Sequence, residues 1–557
     1  MKMPDNILFN ADDKKKFNYE LAIIIVVIVA CLVPFLDKAF NIDDPLYIWA
    51  ARHIQTNPFD FYGFTVNWFG REEPMFEVMK NPPLASYYIA LVSSLFGWAE
   101  RAMHLAFLIP AVAAVMGTYY LAGEFCSTPL LSTLLSLFTP VFLLSSTTVM
   151  CDIMMLSLWV WATLIWIRGL KSDSNISLIC AAILIALCSL TKYYGICLIP
   201  LILVYSLVKK RNIGLWTLYL LIPVFILALY QWITFNLYGK GLLIDASSYA
   251  LAHQKIEVMQ LFLKSITGLF FTGGCFISVL FFVLFLRRKI LVIGTSITLP
   301  LIIYYFYALA PDKLLFNQNN STNWLFITQC CLFLITGTVV LLLAFFDLWR
   351  HKNADSLFLF LWIIGTFIFS TFINWTINGR SILPMFPVIG ILVLRHIEQK
   401  RAFNDLMSAK IFFLPLIPAL LIALSVTWAD YKWADNARKE AAMINHAYQN
   451  QHGNVWFSGH WGFQYYMETY GAKALDETRS IITRGDIVVN PSDNTNAYSM
   501  PEDMFNIIQV YKIAPLRWLS TLNTHTGAGF YSSKWGPLPF VFGPVPEAEY
   551  SVFMAST

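Results

Sequence analysis

The chain predicts a polytopic α-helical membrane protein that ends in a small extracytoplasmic α/β domain. Three observations predict it. Of 557 residues, 57% are hydrophobic and only 13% charged, and the mean hydropathy is +0.60, far too apolar for an ordinary soluble protein. Apolar runs of membrane-crossing length recur from residue 21 to residue 428. After residue 428 the composition changes, and Gly, Pro, Asn and Asp turns separate short apolar stretches such as Val455-Trp456-Phe457 and Ile487-Val488-Val489.

The expected spans are 21–36, 103–122, 129–147, 153–168, 176–191, 193–208, 213–235, 263–286, 290–310, 323–346, 355–374, 381–397 and 411–428, roughly thirteen in all. The first follows Lys14-Lys15-Lys16 and has the length of a signal peptide, but Cys31-Leu32-Val33-Pro34 offers no small-x-small cleavage site, so a retained anchor is expected. Basic clusters at Lys14–Lys16, Arg168 with Lys171, Lys209–Arg211, Arg287–Lys289, Arg350–Lys352 and Arg395–Lys410 are assigned to the cytoplasm. The N-terminus is then cytoplasmic and the tail from residue 429 extracytoplasmic. The run 84–97 is too short to cross, which leaves residues 37–102 as one long first external loop.

The membrane part, 1–428, is basic and the tail, 429–557, acidic. That basic excess serves topology and gives no argument for nucleic acid as a partner. No strand-loop-helix carries a glycine spacing that would cradle a nucleotide. Nine cysteines lie in or beside apolar runs without CxxC spacing, and the tail has none. In the tail, a helix over about 435–450 is expected before the first strand. The stiff apolar segment 535–544 is expected to lie on the membrane part or on an acceptor.

Ionisable residues collect on the external side of this topology. Asp43 and Asp44 stand just beyond the first span and open a short amphipathic helix, with Asp44 suited to cap it and Pro45 to its first position. Asp152, Lys192, His253, Lys255 and Arg380 fall between the outer ends of later spans. A charge at membrane depth is costly unless paired or hydrated, so each is a functional candidate. Plain alternatives exist for each: helix capping for the aspartates, lipid-headgroup anchoring for Lys192 and Arg380, and simple solvation for His253. One metal arrangement suggests itself, a divalent ion between a loop carboxylate, Glu73 or Glu77, and His253, without a compact ligand motif. Otherwise no cofactor is expected.

Five short motifs in order resemble the GT-C membrane glycosyltransferases, specifically the bacterial relatives of protein O-mannosyltransferases and of the aminoarabinose transferase that modifies lipid A. They are Asp43-Asp44-Pro45-Leu46-Tyr47 with Ala51-Arg52, Asn81-Pro82-Pro83-Leu84, the stretch Thr148 to Met154 around Asp152, Thr191-Lys192, and Arg380-Ser381-Ile382-Leu383-Pro384. The tail, with Gly459-His460-Trp461-Gly462 and Gly485-Asp486, is similar to one subset of bacterial members. Two positions depart from the family pattern: Asp44 stands in place of Glu, and Asn81 in place of Lys or His.

The resemblance implies transfer of a hexosyl or pentosyl group from a polyprenyl-phosphate-linked donor to a lipid, glycan or protein acceptor at the outer face of the bacterial inner membrane. It assigns Asp43 as the base, with Lys192, Arg380 and Lys255 on the donor phosphate. Asp152 orients the acceptor or one of the cations. Such a donor carries its own leaving group, so the site needs a base and cations rather than a nucleotide. Two rivals remain open on sequence: a transporter or flippase of lipid-linked sugars, and an oligosaccharide ligase.

Overall fold

The computed structural model describes residues 11–252, 257–316, 319–399, 411–492, 494–498, 500–501 and 503–556. Among them, eleven helices are long and apolar enough to cross a membrane. Two of the expected spans are not of that kind. The run 129–147 breaks into Pro129–Leu137 and Pro140–Ser145, because Pro140 cannot donate to a preceding turn and disfavours helical geometry at Thr139. Its residues from Leu131 onward are buried, so this stretch is an interior element and not a lipid-facing span. The run 176–191 is one 17-residue helix, Asn175–Thr191. It packs along Asp152–Ser172 and ends at Lys192, whose extended backbone stops it.

Close helix contact is built with glycine where the sequence offers it. A Cβ on Gly273 would sit 1.8 Å from the Phe333 carbonyl oxygen, and one on Gly337 would sit 2.2 Å from that of Leu269. The helices Val258–Cys275 and Trp324–His351 therefore touch backbone to backbone, as small residues permit in membranes.

The loop 37–102 folds into a helix Asp44–Thr56, an antiparallel pair Thr65–Asn67 with Glu72–Pro74, and a helix Leu84–Phe96. At 13 residues, the last is about 20 Å long, short of the ~30 Å hydrocarbon layer. Gln55 holds it to the loop helix by bonding the Ala90 carbonyl and the Ser93 hydroxyl.

The tail contains a five-stranded mixed sheet in the order Lys473–Ala474, Val455–Phe457, Ile487–Pro491, Ala548–Ala555, Phe505–Ile513. The first three strands are parallel and the rest antiparallel. Between the first two in sequence lies the helix Trp461–Thr469, a compact βαβ unit. The composition changes at residue 429, but the backbone does not: one 33-residue helix, Leu416–Tyr448, runs through that point. The helix expected over 435–450 is its C-terminal part. The stiff segment near the C-terminus lies back on the membrane part. Gln329 exchanges two hydrogen bonds with the Phe542 backbone, at 2.7 and 2.8 Å, and the rings of Phe333 and Phe540 meet at 5.0 Å.

Candidate active site

The sequence Asp43-Asp44-Pro45 starts the loop helix, and its two carboxylates do different things. Asp43 occupies the position before the helix and makes no capping bond with its side chain. Asp44, expected as the cap, is instead the first helical residue. Its carboxylate accepts the Asn41 N–H and the Val149 N–H, each at 2.8 Å, which ties the loop to the turn before Asp152. Asp44 is fully buried, and burial pushes its pKa up to about 7 against the pull of those N–H groups and Lys38. Asp43 keeps 28% of its side chain exposed. Of the two, only Asp43 can meet a hydroxyl.

Three further residues converge on it from different helices. Arg380 follows Asn378, whose side chain accepts the Ser381 N–H at 2.8 Å and so starts the helical turn that aims the guanidinium. One terminal nitrogen of Arg380 donates to Asp43 Oδ2 at 2.9 Å. The other lies 3.7 Å from Asp152 Oδ2 and against the Met150 sulfur, a weak acceptor. Its Nε has no partner among the described residues. Lys192 Nζ donates to Asp152 Oδ1 at 2.5 Å. Asp152 is buried at the first position of its helix, with Lys192 on one carboxylate oxygen and Arg380 near the other.

Behind this cluster lies a second one that sequence reasoning missed. Lys38 is fully buried and pairs with Asp430 at 2.5 Å. Asp430 also accepts the Thr521 hydroxyl at 3.0 Å and the Tyr531 hydroxyl at 2.8 Å, so a buried ion pair has its lone pairs filled, as it must to persist. The Tyr531 ring in turn lies 5.7 Å from the Arg380 guanidinium. The tail thus supplies a wall of the site. Next to Tyr531, Phe530 O accepts the Gly379 N–H and Ser533 N–H donates to Ile377 O, both at 2.8 Å. The available signal was a charge of each sign, Lys38 and Asp430, just beyond the first and last spans on the same predicted side.

The expected metal site includes His253, which lies outside the described residues, and its loop carboxylates already have partners. Glu77 is engaged by Lys240, Glu73 pairs with Arg71, and among the described residues no three His, Cys, Asp or Glu side chains gather as ligands. No step below is routed through a metal. His253 and Lys255 lie outside the described residues. The Asn81 backbone carbonyl accepts the Tyr62 hydroxyl at 2.9 Å.

Residues 80–235 match the family model described as dolichyl-phosphate-mannose-protein mannosyltransferase. The match spans under a third of the chain and includes Asp152 and Lys192, while Asp43 and Arg380 lie outside it. It agrees with the GT-C resemblance read from the motifs. Among solved structures, the chain is similar to ArnT from Cupriavidus metallidurans bound to undecaprenyl phosphate, at 12% identity and TM-score 0.46, covering 85% of this chain and 93% of that one. It is also similar to the Archaeoglobus fulgidus oligosaccharyltransferase in the apo form, at 15% identity and TM-score 0.46, covering 82% of this chain. This chain spans only 64% of the length of that oligosaccharyltransferase. At such scores neither likeness carries a functional argument. No curated protein matches the chain.

Proposed function

We propose that the protein is a glycosyltransferase that moves a hexosyl or pentosyl group from a polyprenyl-phosphate-linked donor to a lipid, glycan or protein acceptor at the outer face of the bacterial inner membrane. The N-terminus is cytoplasmic and the tail extracytoplasmic in this reading. The single observation that carries it is the state of Arg380: it is bound to Asp43 through one nitrogen, leans on the charge of Asp152 through the other, and keeps further donors without strong acceptors.

A phosphate is the ligand such a fork suits, because a guanidinium offers parallel N–H donors to two oxygens of one group. Lys192 adds a second positive charge held by the same Asp152. When a donor phosphate takes Arg380, the Asp43 carboxylate is released from its guanidinium partner and is free to meet the acceptor. The acceptor hydroxyl then gives its proton to the Asp43 carboxylate, and its oxygen bonds to the anomeric carbon. The bond from that carbon to the phosphate oxygen breaks, and the electron pair leaves with the phosphate, where Arg380 and Lys192 stabilise the charge.

The test uses the full chain in proteoliposomes with radiolabelled polyprenyl-phosphate monosaccharide and membrane extract. Label should pass into a lipid, glycan or protein fraction. If intact donor were carried across the bilayer with no label transferred, the flippase reading would replace this one.

A further inference from the structure

Away from the charged cluster, a cleft of about 640 Å³ lies between the loop 37–102 and the tail sheet. Trp49 and Arg52 of the loop helix line it, while Tyr47 of the same helix points to the active site and bonds the Cys151 sulfur at 2.9 Å. Two residues along a helix turn the side chain by about 200°, so Trp49 and Tyr47 face opposite ways. The cleft is therefore separate from the transfer point. Its two walls are fastened together by backbone-directed bonds: Asn67 to the Leu475 carbonyl, Gln464 to the Asn67 carbonyl, and the Glu72 N–H to Asp476, each at 2.8 Å. The opening is preformed.

We infer that this cleft binds a neutral oligosaccharide segment. The lining combines aromatic rings, Trp49, Trp456 and Phe64, with charged groups of both signs. The cations have partners within the lining or beside it: Arg479 pairs with Glu72 at 3.2 Å, Lys473 donates to the Asn454 side-chain Oδ1 at 2.8 Å and lies 5.4 Å from the Trp456 ring, and Arg52 donates to the Tyr465 hydroxyl at 3.0 Å. Glu468 and Asp476 supply the remaining carboxylates. An acyl chain would strand these charges in hydrocarbon. A strongly anionic or cationic ligand would meet repelling groups as well as attracting ones. A sugar ring fits both halves of the lining, with its C–H face on an aromatic ring and its hydroxyls donating to carboxylates or accepting from guanidinium and ammonium groups. The volume lies within the ~300–1,000 Å³ range of small-ligand sites.

The inference does not depend on the donor chemistry, and its test separates the two. The full chain in detergent is titrated with neutral tri- to pentasaccharides of glucose, mannose and galactose, with binding read by saturation-transfer NMR and calorimetry. At least one series should bind. Trp456→Ala should weaken it tenfold or more, and so should Thr65→Arg, a change at an exposed strand position that blocks the cleft without touching the core. Polyprenyl-phosphate binding should stay at the wild-type level in both variants. Absence of binding to every neutral sugar, equal binding in Thr65→Arg, or binding there of an unstructured peptide in place of a sugar overturns the inference, whatever the outcome for transfer.

Discussion

The difference between two adjacent aspartates decides the chemistry at the scale of single residues. The sequence sets Asp43 and Asp44 side by side, Asp44 as the expected cap and Asp43 as the expected base; the fold buries Asp44 against two N–H groups and leaves Asp43 on Arg380. Arg380→Ala removes charge-assisted bonds to phosphate, each about 1.5–3 kcal/mol, so donor affinity measured by lipid-phosphate titration should fall at least tenfold. Arg380→Lys should recover only part, because an ammonium cannot bridge two oxygens. Wild-type affinity in the alanine variant would return Arg380 to the role of a headgroup anchor. Tyr531 separates two effects. Tyr531→Phe loses the bond to Asp430 but keeps the ring beside Arg380, and should lower the thermal midpoint while sparing donor affinity. Tyr531→Ala should lower both. Asp43, Asp152, Lys192 and Arg380 were legible in the sequence because an ionisable residue at membrane depth is expensive unless it works or is paired. Tyr531 was not legible, since a tyrosine in an acidic, turn-rich tail signals nothing until the chain returns to the membrane part.

Among the secondary elements, the unbroken helix Leu416–Tyr448 and the returning segment 519–542 decide how the tail behaves. A composition change at residue 429 reads as a domain boundary, yet helix propensity continues across it, and only tertiary contacts show that Thr521 and Tyr531 complete Asp430. A chain ending near Lys432 would leave Lys38 and Asp430 buried with fewer partners. It should therefore express poorly or unfold in detergent, as size-exclusion profiles would show, and a monodisperse truncated protein with wild-type donor affinity would contradict this. The loop-to-tail junction carries its own pH signature. Asp476 accepts N–H groups of Glu72, Thr478 and Arg479, and these bonds hold its pKa down at about 2. A depressed carboxylate contributes stability above its unfolded pKa of ~3.9, and that stability is lost as pH falls through about 4 toward 2. Thermal midpoints of wild type and Asp476→Asn should differ at pH 7 and converge near pH 2. A gap that persists unchanged at low pH would remove this role.

For the molecule as a whole, the hydropathy pattern and the motif order were enough to read a helical membrane fold with a sheet-bearing tail. They were not enough to read how the parts interlock. The break at Pro140 was visible as a proline but not as a buried stretch, because apolar character alone does not distinguish a lipid-facing span from an interior one. That interior stretch brings Val149 and Met150 to the site. The loop, the Asp152 helix, the Arg380 turn and the tail then meet on one side of the spans, with a single arginine shared between two carboxylates at the junction. The central claim is that Arg380 passes from Asp43 to the donor phosphate and leaves Asp43 as the base. The most direct measurement is polyprenyl-phosphate affinity and sugar transfer in Asp43→Asn, side by side with wild type. Donor affinity should be kept or raised, since the competing carboxylate is gone, while transfer falls by at least a hundredfold, in keeping with loss of a general base. Transfer at the wild-type rate, or donor affinity lost together with the Asp43 charge, would contradict it.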